Sequence, residues 1–91
     1  MYTLEISNKF KQDSKRYQHD KAAQQAVKTV LDLLVSGEPL PAKYKEHPLI
    51  SHYVGYLECH GKPDLLLVYR RDEARKTILL YRLGSHAELF G

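Results

Sequence analysis

The sequence predicts an α+β fold: an N-terminal strand, a helical hairpin, then an antiparallel three-strand meander. Three observations carry that prediction. Apolar residues alternate at the start of the chain, recur at helical spacing up to Leu34, and alternate again in three short runs in the final third. With 91 residues, a single domain over 1–91 is expected, with one thin core.

The first strand is read from "YTLEIS", where Tyr2, Leu4 and Ile6 would form one buried face against Thr3, Glu5 and Ser7. Ser7 or Asn8 is a suitable N-cap for the first helix, whose Phe10, Ser14 and Tyr17 share a face. The pattern breaks at His19 and Asp20. Ala23, Ala26, Val27, Val30, Leu31 and Leu34 then fit the i, i+3, i+4, i+7 template, and Gly37 stands where a C-cap belongs. In "GEPLPAKYKEHPLISH", Pro39, Pro41 and Pro48 exclude a regular helix and disfavour a central strand, so a long covering loop is expected. Loops of this length are often functional. The meander strands are expected at 53–59, 64–71 and 77–83, with a first turn at Gly61-Lys62-Pro63 and a second at "DEARK". "GSHAELFG" reads as one closing helical turn. The two helices would cover one face of the sheet and leave the other as an open concave face with basic rims.

Composition narrows the function. At 43% hydrophobic and 27% charged, the chain has ordinary globular usage rather than that of a disordered one. No apolar run approaches the ~20 residues of a membrane span. The opening "MYTLEISNKF" lacks the apolar centre of a secretory signal, so a cytoplasmic protein without membrane contact is expected. The lone Cys59 excludes an intrachain disulfide and a cysteine-based zinc site. The net charge is +3, concentrated in Lys9, Lys11, Lys15, Arg16, Lys21 and Lys28, and again in Arg70, Arg71, Arg75, Lys76 and Arg82. Such clustering suits a polyanionic partner, although a solvated helix face would look the same.

Five histidines stand out: His19, His47, His52, His60 and His86. His19 reads as a solvated turn residue, and His52 as the start of the first meander strand. A meander returns its second turn-end and its terminus to one place. His60 and Asp64 across the first turn can therefore meet Arg82 and His86, with His47 joining from the loop. Taken singly, each is an ordinary surface residue. No His-x-His or His-x-x-x-His spacing supports a metal site, so no metal or cofactor is expected. Two histidines, a carboxylate and an arginine on a basic domain instead suit RNA cleavage by general acid and base, with the ribose 2′-hydroxyl as nucleophile. Cys59, on a strand beside His60, reads as packing.

The segments "LPAKYKEHPL", "GKPDLLLVYR" and "RLGSHAELFG" resemble the YafQ branch of the RelE-like bacterial toxins, over nearly the whole chain. The resemblance implies a RelE-like microbial RNase fold and the toxin of a type II toxin–antitoxin pair. It implies a ribosome-dependent endoribonuclease that cuts mRNA in the A site. The partners implied are the ribosome, mRNA and a DinJ- or RelB-like antitoxin, with DNA met only through that antitoxin. The family's catalytic positions fall on His47, His60, Asp64, Arg82 and His86. Arg82 would hold the scissile phosphate, and Phe90 would stack on or pack beside a base. Lys9, Lys11, Lys15 and Arg16 would meet ribosomal RNA phosphates. The family's tryptophan after the turn aspartate is Leu65 here, and a strand position often occupied by aspartate is Glu58. Two rival readings are a ParE-like toxin that inhibits DNA gyrase, which shares the architecture, and a non-catalytic RNA-binding module.

Overall fold

A computed structural model describes residues 1–91, the Ser51 side chain excepted. Strand β1 (Thr3–Ile6) ends at Ser7, which caps helix α1 (Asn8–Lys15): its Oγ accepts the Phe10 N–H. Asp20 caps α2 (Lys21–Ser36) in the same way by accepting from Ala23 N–H. Gly37 ends α2 in the left-handed region at φ 80°, where a Cβ would also stand 3.0 Å from the Tyr2 ring. The proline-rich segment holds a 3-10 turn at Ala42–Tyr44, then the two-residue edge strand β2 (His47–Pro48) and a second 3-10 turn at Ser51–Tyr53. Strands β3 (Leu57–Lys62), β4 (Leu65–Asp72) and β5 (Thr77–Gly84) form the meander, and α3 (His86–Phe90) closes the chain.

The meander is the centre of a five-stranded sheet of order β1-β5-β4-β3-β2. Strand β1 joins the β5 edge in parallel, with Ile6 opposite Leu80, and β2 joins the β3 edge with His47 opposite Glu58. Pro48 is tolerated because it lies on an edge.

Phe10, Val30 and Leu34 pack from the helices against Leu67, Tyr69, Ile78 and Leu80, all buried, to make the main core.

Four expectations need correction. Strand β1 does not have a buried face: Tyr2 and Leu4 are half-buried and Ile6 is 47% exposed, because β1 is a short edge strand with little above it. The first meander strand starts at Leu57, not Tyr53, and His52 lies in the 3-10 turn before it. The first hairpin turn is Pro63-Asp64. Gly61 and Lys62 stay in β3, past a register shift between His60 and Lys62. Finally, the second sheet face is not left open. Leu66 and Val68 are buried there beneath Leu89 of α3, Tyr53, Tyr56 and Tyr81.

Candidate active site

Covering that second face leaves a cleft of about 700 Å³ at the α3 end of the sheet, between the Leu49–Tyr53 segment and α3. His47 comes from β2, His60 from β3 and His86 from the first turn of α3. Their rings form a row, with centroids 6.4 Å apart between His47 and His60 and 5.8 Å between His60 and His86. Phe90 extends the row, 6.3 Å from His86.

Each imidazole is held by its Nδ1. In His47 that atom meets the Lys45 carbonyl at 2.9 Å, in His60 the Pro63 carbonyl at 3.3 Å, and in His86 an Asp64 carboxylate oxygen at 3.2 Å. A carbonyl or a carboxylate can only accept, so each Nδ1 carries the proton and donates it. Among the described residues, that leaves the Nε2 of His86 open, whereas the Nε2 atoms of the other two rings meet a carboxylate. In His47 it is brought to 3.4 Å from Glu58 Oε1, and in His60 to 3.4 Å from the same oxygen. Lys45 can turn its carbonyl this way because it sits in the left-handed region at φ 53°.

The expected His60–Asp64 pair is therefore not made. Asp64 accepts from the His86 ring and from the His86 backbone N–H, both through Oδ1. These two bonds, backbone first, hold the Asp64 carboxyl below its usual range. His60 turns toward Glu58 instead. The register shift after His60 places the turn so that Asp64 faces α3.

Arg82 also differs from expectation. Its Nε and Nη2 donate to the two Asp13 oxygens at 2.8 and 3.2 Å, and the backbone N–H of Leu83 donates to Asp13 as well. Burial alone would raise the Asp13 carboxyl, but the Arg82 and Leu83 bonds and the Arg16 charge bring it below the usual range. Arg82 thus borders the row beside Tyr53, whose ring meets Phe90 edge-on at 5.5 Å, rather than standing among the histidines. Arg16 is engaged by Asp13 and Glu88. Lys9 lies over the Tyr81 ring, while Lys11 and Lys15 are exposed. Burial, then the Glu46 charge, raises the Cys59 thiol to about 12, so it is no nucleophile. Among the described residues no three His, Cys, Asp or Glu side chains are grouped so as to hold a metal ion.

Two residues of this site were missed as participants in the sequence. Glu58 shares a strand face with His60 two positions on, and the β2 pairing adds His47 to that face. Asp13 lies three residues after Phe10 on the inward face of α1, where an acid signals a buried partner.

The five-stranded sheet with helices over it has the RelE-like fold. Residues 2–91 match the family described as bacterial toxin of type II toxin-antitoxin system, YafQ. The mRNA interferase toxin YafQ of Escherichia coli (strain B / BL21-DE3) is 38% identical over 97% of this chain and 95% of its own length. The E. coli DinJ-YafQ complex contains a chain similar over the full length of both, at 37% identity and TM-score 0.88. A metal-bound toxin from Helicobacter pylori is 43% identical over 99% of this chain and 100% of its own, at TM-score 0.84. This chain belongs to the YafQ toxin family.

Proposed function

We propose that this chain is an mRNA interferase, the endoribonuclease toxin of a type II toxin–antitoxin module, and that it cuts mRNA in the ribosomal A site. The observation that carries the chemistry is the common anchoring of His47, His60 and His86 at Nδ1, with the Nε2 of His86 open and those of His47 and His60 on the Glu58 carboxylate, where protons can be held and passed on. In the reaction the ribose 2′-oxygen forms a bond to the adjacent phosphorus as the bond from phosphorus to the 5′-oxygen breaks. An Nε2 on one side of the scissile phosphate takes the 2′-hydroxyl proton, and a protonated Nε2 on the other gives one to the departing 5′-oxygen. His86, oriented by Asp64, lies beside the His47–His60 pair, whose Nε2 atoms share Glu58, so the two roles divide between these groups. Arg82, kept charged and rigid by Asp13, supplies positive charge at the edge of the cleft for the phosphate. Phe90, 42% exposed, offers a ring for a base.

The partner that restrains the toxin is a DinJ-like antitoxin, as in the E. coli complex, and DNA is reached through that antitoxin. A toxin that acts on ribosomes works in the cytoplasm. Among the described residues no helix is long and apolar enough to cross a membrane.

The test is primer extension on a translated mRNA, with and without ribosomes, followed by end-group analysis. Cuts only in the presence of ribosomes, with a 2′,3′-cyclic phosphate or its opened product on the 5′ fragment, support the reading. A plain 3′-hydroxyl there would mean that water attacked from the other side, and the metal-bound Helicobacter relative makes that arm worth running. Inhibition of DNA gyrase without RNA cleavage would favour the ParE-like alternative.

A further inference from the structure

Behind His60 lies a second hollow, of about 330 Å³, and it is rimmed by Lys43, Lys45 and Lys62. His60 borders this hollow on one side and meets Glu58, on the wall of the histidine cleft, through its Nε2. We propose that the three lysines bind a phosphodiester of the substrate RNA strand, next to the one being cut. The proposal rests on the ribonuclease reading and adds a subsite to it.

Four observations carry it. First, among the described residues none of the three ammonium groups has a carboxylate within ion-pair distance, whereas Arg16, Arg71 and Arg82 all do. Second, four acids of the surrounding elements are engaged elsewhere. Glu46 accepts from Tyr69 and Arg71, Glu58 faces the two histidines, Asp64 holds His86, and Asp32 pairs with Lys28. Third, Lys43 is placed rather than free, its Nζ 5.2 Å from the centroid of the Tyr44 ring. Fourth, Lys45 occupies the left-handed region at φ 53°, and its carbonyl holds His47. One residue in the left-handed region thus both borders the hollow and sets a cleft histidine. Three uncompensated ammonium groups beside a catalytic ring suit a singly charged, solvated oxyanion in a fixed relation to that ring. A phosphodiester of a strand threaded past His60 is such a group.

The test uses the full-length chain and the variant Lys43→Gln/Lys62→Gln, which leaves the Lys45 backbone alone. Single-turnover cleavage is measured on ribosome-bound mRNA in which each phosphate flanking the cut is replaced in turn by a neutral methylphosphonate. The variant should lose about tenfold, the worth of roughly one charge-assisted hydrogen bond. At one flanking position the neutral linkage should cost the wild type a similar factor and the variant, which keeps only Lys45, several-fold less. Equal rates for both proteins, or equal losses at every position, would overturn the subsite. So would weakened antitoxin binding with unchanged cleavage, which would assign the lysines to an acidic peptide. A separate NMR titration of the free protein uses a short 2′-deoxy oligonucleotide as a non-cleavable probe. It should shift the Lys43–Lys45 and Gly61–Lys62 amides in the wild type and not in the variant. If the wild type fails to cut on ribosomes, the ribonuclease reading fails by itself. The titration then decides the hollow: absence of those shifts rejects it.

Discussion

His86 and its own backbone amide share one oxygen of Asp64. That arrangement fixes the ring before any substrate arrives, so loss of the imidazole removes a positioned proton donor or acceptor and little else. The residue is exposed, and His86→Ala should leave the melting temperature nearly unchanged. The cleavage step on ribosomes should fall roughly 10²–10⁴-fold. Single-turnover rates checked against thermal unfolding separate the two effects. A comparable loss of stability would make His86 a packing residue. Glu58 presents the opposite case. It is 3% exposed beneath two histidines and meets the Nε2 of both.

At the scale of elements, α3 hangs on a tight junction. Ser85 and Glu88 form a reciprocal capping box, and Glu88 also accepts from Tyr17. A Cβ on Gly84 would come within 2.9 Å of the Glu88 carboxylate and 3.3 Å of Leu89 Cδ2. Gly84→Ala should therefore push α3 outward, carrying His86 and Phe90 with it. Cleavage is expected to drop more than tenfold for a destabilisation of about 1–3 kcal/mol. Paired measurements of rate and denaturant midpoint check this. Helix α1 makes a different prediction. With Arg16 occupied by Asp13 and Glu88, the cations available to ribosomal RNA are Lys9, Lys11 and Lys15. Replacing all three with alanine should weaken ribosome binding and reduce the slope of log affinity against log salt by up to about 3. An unchanged slope would leave them as a solvated face.

The elements themselves were largely legible in the chain. Periodicity marked both helices, Gly37 marked the end of α2, and short apolar runs marked β4 and β5. What local pattern could not show was pairing across the chain. Nothing near Thr3–Ile6 says that this segment lies parallel to β5, and nothing near His47 says that it pairs with Glu58. The candidate site shows the same division. Its histidines could be named from spacing and resemblance, but partner choice turned on one register shift after His60. That shift gave Asp64 to His86 and His60 to Glu58.

For the molecule as a whole, acid should be the weak side. Asp13, Asp64 and Glu88 all have carboxyls held below their usual range, Asp64 by the His86 bonds and Glu88 first by the Ser85 N–H. A depressed folded value means that the stabilisation is fully present above the ordinary carboxylate range. It is lost as pH falls through those lowered folded values. Stability measured from pH 6 down to 2 should fall along that limb. Asp13→Asn should lower stability near neutrality and flatten the limb. An acid limb as steep as the wild type's would rule Asp13 out as a contributor.

Asp13 has one more consequence, and it concerns other chains. Strand β1 covers the outer edge of β5 only as far as Leu80. Beyond it, Ser7 Oγ donates to the Tyr81 carbonyl at 2.8 Å, and Asp13 accepts the Leu83 N–H at 2.9 Å. Two side chains, one from the N-cap of α1 and one from its last turn, thus stand in for the missing strand. An unpaired edge is a template for pairing with a second copy, and here that template is blocked by side chains rather than backbone. Without the Asp13 carboxylate, the stretch from Tyr81 to Gly84 becomes an adhesive edge. Asp13→Ala should then self-associate in a concentration-dependent way at temperatures where it is still folded. Sedimentation velocity beside circular dichroism would show it, and a folded variant that stays monomeric at every concentration would mean that the edge is protected by something else.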